Sequence, residues 1–426
     1  MKRLLRSNFW VLLGTLLSVL LPSSAYGLDA SARLKWFSTA GYLPSHDIRR
    51  SQLGAQLGSP SSDTTVDLRL MFKQDLGAVR LILDHSTILL SGDAAELQLG
   101  PNANLDQTVV NDSRRWADLT WQIEDGDRHT SFHRIDRLAL QWQAGDWGVT
   151  LGRQAVSWGS GIVFQPMDPF NPFSPTVVDR DYKAGDDLLL VDRLFKNGSD
   201  LQLLHVVRRD EFDDVTSDVS STAVKWHGYA GEVEMEVIGA KHFGEPWAGV
   251  TLRIPLGQAL LRTDVVGAHL QSGGWQISGL INVDYTFTIA KHNTYVFAEY
   301  FHNDLGVDEL PDNPALLPAE LLQRLDRGEV FNLMKDYTAF GGNIEWHPLI
   351  SQSVTLITNL HDSSSLFQTN ISYTPSDNQS VQFGWIEPLG SRGDEFGGIP
   401  IVVTPTGEQL TTGGASRIYL RWVYYL

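Results

Sequence analysis

WQISGLINVDY, residues 275–285, alternates between two kinds of side chain along its whole length. Successive side chains of a β-strand point to opposite faces, so the two sets belong to two faces of one strand. One face is apolar with an aromatic residue at each end: Trp275, Ile277, Gly279, Ile281, Val283 and Tyr285. The other is mostly polar: Gln276, Ser278, Leu280, Asn282 and Asp284. The apolar face suits hydrocarbon and its aromatic ends suit the two interfaces, so the pattern predicts a membrane-spanning β-strand.

The same alternation recurs in residues 66–73, 137–143 and 381–386. The sequence contains 13 Trp, 12 Tyr and 18 Phe. Beyond residue 27 it has no apolar run of roughly 20 residues, the length that predicts a transmembrane helix. A soluble β-sandwich also alternates in this way and is the alternative at this point. Short alternating segments separated by turn residues favour an all-β fold, a closed antiparallel transmembrane β-barrel.

The last segment of the sequence, residues 417–426, is amphipathic as well. An apolar set alternates with a set that includes Arg417 and Arg421; the apolar set is Ile418, Leu420, Trp422, Tyr424 and Leu426. Such an ending resembles the closing strand of Gram-negative outer-membrane proteins. The resemblance implies that the barrel assembly machinery recognises this strand. The sequence departs from the family at Leu426, where phenylalanine is usual.

Loop lengths give the predicted barrel two different ends. If the last strand ends in the periplasm, short turns near 76–77, 145–146, 196–199, 231, 256–257, 291–293, 348–351 and 376–378 are periplasmic. The long connections 91–132, 158–186, 210–220, 303–335 and 389–415 are then external, as in bacterial barrels. The count is about 18 strands, with 16 as the alternative. Residues 28–60 are ambiguous, and residues 114–123 are a candidate further strand.

The N-terminal segment predicts export. Lys2, Arg3 and Arg6 precede an apolar run from Phe9 to Leu21, and small residues at Ala25 and Gly27 give a cleavage site after Gly27. The alternative is an uncleaved anchor. We therefore expect a signal peptide at 1–27 and a single outer-membrane barrel domain at 28–426.

Composition excludes several classes of function. Cleavage removes three positive charges, so the formal net charge of −17 becomes −20, which disfavours nucleic acid as a partner. The absence of cysteine excludes disulfides and Cys-ligated metals. We expect outer-membrane lipid and lipopolysaccharide as partners and no cofactor. The acidic residues of 210–220 are either a solvated loop or a loose cation site that bridges to lipopolysaccharide.

The external connection 158–186 is the most unusual segment. Residues 166–175 contain four prolines, which fix φ and remove backbone donors, so this stretch cannot pair as a central strand. It forms either a loop folded into the lumen or a stiff external cap. The charges beside it would create either a transverse field or a salt-bridged scaffold. The candidate pore residues are Arg153, Trp158, Asp168, Phe170, Phe173, Arg180, Asp181, Asp186 and Asp187.

A family resemblance rests on the stretch GRQAVSWGSGIVFQPMDPFNPFSPTVVDRDYKAGDD, residues 152–187. It looks like a motif of proteobacterial outer-membrane barrels of mostly unassigned function, with the layout of porin-like and alginate-export-like proteins. The specific match covers roughly a tenth of the chain. The resemblance implies a passive channel for a solute or polymer, and it carries over no substrate-binding residue.

Other features leave the selectivity open. The inward-facing strand positions carry both signs of charge, and the candidates are Arg69, Arg137, Asp284, Arg417 and Arg421. Mid-strand Ile281 should face lipid, where Arg would cost about 2–4 kcal/mol, and lumen-facing Asn282 should tolerate Arg better. Residues 319–327 predict a helix that Pro318 precedes and Gly328 ends. It either packs against loops or plugs the barrel.

No catalytic motif supports an enzyme. The 12 histidines lie in no HExxH, and no GxSxG occurs. His129 and His133 are four apart in a polar segment, a weak hint of a metal pair. Three functions remain. The sequence favours a porin-like channel in the bacterial outer membrane, because barrels of 16 or more strands enclose an aqueous lumen. The alternatives are a loop-plugged receptor or structural barrel, and a hydrolase at the barrel rim.

Overall fold

The fold was analysed in a computed structural model. The structure describes residues 28–53, 61–93, 112–126, 128–170, 172–179, 181–403 and 409–426. The predicted signal peptide, residues 1–27, and the candidate pore residue Arg180 lie outside the described residues. Among the described residues, no helix is both long enough and apolar enough to cross a membrane.

The described chain is built almost entirely of β-strands. In chain order they are β1 (Leu28–Tyr42), β2 (Ser61–Leu76), β3 (Val79–Gly92), β4 (Thr120–Asp125), β5 (His129–Ala144), β6 (Trp147–Gln154), β7 (Asp186–Leu194), β8 (Asp200–Val206), β9 (Ser221–Ala230), β10 (Val233–His242), β11 (Glu245–Leu256), β12 (Ala259–His269), β13 (Trp275–Ile289), β14 (His292–Asn303), β15 (Asp336–His347), β16 (Ile350–Asn359), β17 (Ser365–Ser376), β18 (Gln379–Leu389), β19 (Ile399–Val403), β20 (Gln409–Thr412) and β21 (Ser416–Tyr425). Two α-helices accompany them, α1 (Ile48–Leu53) and α2 (Ala319–Arg327).

Eighteen of the described strands form one closed antiparallel barrel. Each pairs with the next barrel strand along the chain, so β3 pairs with β5 and β18 with β21. The barrel closes because β1 pairs with both β2 and β21. The three others are accessory: β4 pairs along the outer end of β5, and β19 pairs with β20. The predicted fold class and the count of 18 are confirmed. The ambiguous segment 28–60 supplies the first barrel strand, and 114–123 contains the start of β4.

The alternation of β13 follows the predicted faces. Trp275, Ile277 and Ile281 are exposed on the outer surface, whereas Asn282 is buried inside. All eight predicted short turns join neighbouring strands at one end of the barrel, which we call the turn end. The opposite, loop end is less uniform than the sequence suggested. Alongside its long connections it has tight hairpins at 243–244, 270–274 and 360–364, because β10–β11, β12–β13 and β16–β17 pair almost to their tips.

Loops and inward side chains fill much of the loop half of the lumen. An apolar cluster there joins inward side chains of β13–β18 to loop residues, among them Phe164, Phe301, Leu321, Leu333 and Tyr337. A second cluster joins Trp158, Met167 and Phe170 to the inner face of β7–β12. Helix α2 begins and ends at the predicted residues, and Gly328 ends it with φ of 70°. Its Leu321 is fully buried in the first cluster, so the helix packs inside the mouth of the barrel.

A proline-rich belt inside the barrel

Residues 155–185, which we call the belt, leave β6 and follow the inner wall of the barrel. The indole Nε1 of Trp158 donates to Gln202 Oε1 of β8 at 3.2 Å. Arg253 of β11 donates to the carbonyl of Gly159 at 2.9 Å. The Ser160 hydroxyl donates to Asp264 of β12 at 2.7 Å. The first part of the belt therefore runs along the wall from β8 to β12.

Glu299 of β14 anchors the next part of the belt. Its carboxylate accepts the backbone N–H groups of Ile162, Val163 and Phe164 at 2.8, 3.0 and 2.8 Å. Prolines and irregular backbone leave such donors without strand partners, and a buried carboxylate satisfies three of them at once. The ring of Phe164 then stacks on Phe301 with centroids 4.5 Å apart.

The later part of the belt is fixed to the opposite wall by ion pairs. Asp179 accepts from Lys35 of β1 at 2.7 Å and from Arg421 of β21 at 3.2 Å. Asp181 pairs with Arg33 of β1 at 2.9 Å and also with Arg421. All five of these side chains are largely buried, so the pairs are screened much less than surface pairs.

Tyr182 and Lys183 complete the circuit. The guanidinium of Arg69 in β2 lies 3.5 Å from the centre of the Tyr182 ring, a cation–π contact. Lys183 donates to the Ser157 hydroxyl at 2.8 Å and pairs with Asp168, so the end of the belt is bound to its beginning. The belt thus contacts most of the inner circumference and fastens to itself.

Arg153 lies near the end of β6, just before the belt, and contacts the segments at both ends of the belt. It pairs with Asp187, the second residue after the belt, at 2.9 Å and with Asp112 at 3.0 Å, and it donates to the carbonyl of Ala117 at 2.6 Å. Burial opposes ionisation of Asp112, but the cations Arg115 and Arg153 outweigh it and hold the pKa of Asp112 below its ordinary value.

A cavity of about 700 Å³ lies on the loop side of the belt and forms a vestibule. One part of its wall is apolar and comes from the belt, α2 and the segments beside it: Phe170, Phe173, Val177, Leu317, Leu322, Leu325 and Phe331. Another part carries both signs of charge and includes Arg115, Arg134, Lys183 and Arg208 together with Asp67, Asp179, Asp186 and Glu329. Arg134 is buried, and its Nε and Nη2 atoms make no hydrogen bond within the described residues, although Nη2 lies 3.5 Å from Asp136.

The structure brings most of the candidate pore residues into this one assembly. Trp158, Asp168, Phe170, Phe173 and Asp181 belong to the belt, and Arg153, Asp186 and Asp187 fix its ends. The inward charges Arg69, Arg137, Asp284, Arg417 and Arg421 alternate with outward apolar residues on their strands. In the described part of the chain the belt's acidic side chains are paired, as in the scaffold interpretation.

Several residues of the assembly were not singled out from the sequence. Arg33 and Lys35 lie in a segment whose strand was ambiguous, although they alternate with Leu34 and Trp36 as a barrel strand would. Glu299 lies on the inward face of β14, and nothing local in the sequence indicates that it binds backbone 135 residues away. No group of three or more metal-ligating side chains occurs within the described ranges. His129 contacts Glu124 instead of His133.

No family model matches the sequence, and no curated protein is similar to it in sequence. Solved structures share its fold. OccAB1 of Acinetobacter baumannii matches with a TM-score of 0.54 at 9% identity, over 95% of this chain and 99% of that one. OccK8 (OprE) of Pseudomonas aeruginosa gives 0.52 at 10%, over 94% and 98%. The P. aeruginosa outer membrane protein OpdK, also determined with vanillate, gives 0.51 at 10%, over 93% and 98%. At these identities the similarity concerns the fold, which is that of bacterial outer-membrane barrels.

Proposed function

We propose that the chain is an outer-membrane channel for the passive passage of a small solute, with the belt as its constriction. The observation that carries the proposal is a belt fixed around the inside of a closed barrel, beneath a vestibule of about 700 Å³. Paired charges hold such a loop in one position, as a pore of fixed size requires. The porin fold of the solved neighbours supports a channel over a rim hydrolase.

Single-channel conductance in planar bilayers tests the proposal. We expect stable current steps from the folded, heat-modifiable protein. Changing Asp179 and Asp181 together to Asn leaves Arg33, Lys35 and Arg421 without these partners, so the reversal potential in a salt gradient should shift towards anions. Asp75→Asn, at an exposed turn, is the matched control and should leave the selectivity unchanged. A folded, inserted protein that carries no current would contradict the channel and favour a plugged barrel.

We further propose that the solute carries a carboxylate. Arg134 lines the vestibule, and its buried Nε and Nη2 atoms make no hydrogen bond within the described residues. A solute carboxylate that reached them would meet the fixed fork geometry with which Arg groups bind carboxylates. OpdK, one of the fold neighbours, was determined with vanillate, which is a carboxylate. Vanillate added on the vestibule side should therefore interrupt the current, and Arg134→Gln should weaken this block about tenfold. An unchanged block in the variant would exclude Arg134 from the path.

A further inference from the structure

A second surface of the lumen has different chemistry. We call the inward face of β15–β18, on the turn side of the belt, the neutral wall. On these strands the residues that alternate with the inward ones, such as Phe340, Ile371 and Phe383, are exposed on the outer surface. Their exposure identifies which residues point inward. The inward set is mostly amides and hydroxyls: Asn343, Ser351, Ser353, Thr355, Gln368, Asn370, Ser372 and Gln382. Its charged member, Glu345, lies near the turn end, opposite Ser351.

Strand register arranges these groups in rows. One row runs from Tyr295 of β14 through Asn343, Ser353 and Asn370, which face one another on successive strands. A second row begins at Phe297 and continues through Gly341, Thr355 and Gln368. Neighbouring strands lie ~4.8 Å apart, so each row spans roughly 14 Å. The row groups also bond to one another: Asn343 donates to Ser353 at 2.9 Å, and Gln382 donates to Asn370 at 3.0 Å.

Each row begins with an aromatic ring. A Cβ added to Gly341 would lie 2.7 Å from Cε1 of Phe297, so this ring occupies the space beside the glycine of the neighbouring strand. Phe297 is only partly buried. The hydroxyl of Tyr295 is 3.4 Å from Asp284, and its ring lies 6.2 Å from that of Phe297. The rows therefore combine aromatic rings with amides and hydroxyls.

We propose that the neutral wall binds an uncharged, polyhydroxylated group, the chemistry of a saccharide or polyol. A sugar ring offers hydroxyls that both donate and accept hydrogen bonds, and an amide beside a hydroxyl can supply both the acceptors and the donors that they need. Its C–H face packs on an aromatic ring, which is why flat rings beside hydrogen-bonding groups suit it. A charged group of the solute would gain little from these amides and hydroxyls. The ion pairs of β1 and β2 lie on other strands, whereas the Arg262–Asp284 pair borders the wall at Tyr295 and Arg421 borders it at Gln382.

This inference rests on the proposed channel for its place on the path of a solute, but binding can be measured without current. Equilibrium dialysis of the folded full chain in detergent with labelled maltotriose, a neutral trisaccharide, is the experiment. We expect saturable binding. Phe297→Leu, which keeps an apolar side chain but removes the flat face, should weaken it about tenfold. Thr355→Val, which removes one hydroxyl at constant shape, should weaken it roughly threefold.

The matched control is Gln141→Ala on β5, a neutral amide outside the neutral wall, and it should leave maltotriose binding unchanged. Heat-modifiable migration on gels verifies that each variant is folded. Absence of saturable binding to the unmodified chain overturns the inference, as does equal weakening by Gln141→Ala and Phe297→Leu. If such a protein still conducts, the proposed channel stands without the saccharide site. If it binds maltotriose but carries no current, the channel fails and the neutral wall stands.

Discussion

The two sides of the lumen differ in the chemical groups that contact the belt. The wall from β1 to β14 meets the belt through buried carboxylates, guanidiniums and an ammonium, as at Asp181 with Arg33 and at Glu299 with three backbone N–H groups. The neutral wall meets the belt through softer contacts, such as Gln368 with the carbonyl of Thr176 at 3.4 Å. Charges in a buried site require partners and so fix geometry. Uncharged groups can exchange protein partners for solute, so the difference separates a scaffold from a contact surface.

The largest effect is expected where the scaffold is most buried. Arg153 is 1% exposed, and Arg153→Met leaves the carboxylate of Asp187 without its guanidinium. Breaking one side of a buried ion pair costs about 3–5 kcal/mol of unfolding free energy. Urea unfolding in lipid vesicles, followed by tryptophan fluorescence, measures it. Arg80→Met, at an exposed turn-end pair with Asp75, is the control and should cost much less. Similar losses would mean that the belt does not depend on this anchor.

The next prediction compares the cost of introducing Arg at three places: the lipid face, the wall beneath the belt, and the neutral wall. Ile281→Arg places a charge on the lipid face and should cost about 2–4 kcal/mol of insertion free energy. From the sequence alone Asn282→Arg should be milder, but the structure changes this expectation. Asn282 is 2% exposed beneath the belt and donates to Glu299 at 3.0 Å, so a larger side chain has no room.

Ser353→Arg, on the neutral wall, is therefore the better lumen control. Its side chain is half-buried and faces the turn side of the lumen, so we expect the smallest loss of the three. Refolding into vesicles over a urea series measures all three variants. A loss at Ser353→Arg as large as that at Ile281→Arg would contradict the assigned faces of β16.

A smaller effect is expected for Glu299, whose carboxylate contacts the belt through backbone N–H groups. Glu299→Gln keeps the shape but replaces charge-assisted hydrogen bonds to Ile162, Val163 and Phe164 with weaker ones. The loss should be about 2 kcal/mol, with noisier single-channel current as the belt moves. Thr355→Val on the neutral wall should change stability by less than about 0.5 kcal/mol. A quiet channel in the Gln variant would show that the ion pairs suffice to fix the belt.

The last prediction concerns the loop that covers the outer end of the neutral wall. Burial raises the pKa of Glu395 to about 7, although Tyr337, Leu333 and Asn359 donate to its carboxyl group and act in the other direction. Because the pKa in the docked loop lies above the ordinary value of 4.5, docking is strongest below pH 4.5 and weakens as the pH rises to about 7.

Hydrogen-exchange protection of residues 391–398 should therefore fall between pH 4.5 and 7 and then level off. Glu395→Gln cannot ionise, so its protection should stay constant across this window. The tight hairpin at 243–244, which lies at the same end of the barrel, serves as the internal reference. Protection that rises with pH would show that the ionised form is the one that docks.

Much of the fold followed from local pattern because barrel strands carry their own signal. A period of two residues, as in 275–285, records which side faces lipid, and turn residues record where a strand stops. Helix α2 was located from Pro318 and Gly328 for the same reason: capping is decided within a few residues. Where the period is blurred, as in β7 with Asp192 and Arg193, the strand exists because two neighbours pair with it.

The sequence by itself determined the class of protein, the strand order and the segment most worth attention, 158–186. Only the tertiary structure decided what that segment does. One partner of Asp181 is Arg421, 240 residues away, and the partner of the Phe164 N–H is Glu299. The alternation of apolar and polar side chains can be read from adjacent residues, but the partner of a buried charge depends on how the barrel closes. The contrast between the charged and neutral walls likewise exists only once β15–β18 lie side by side.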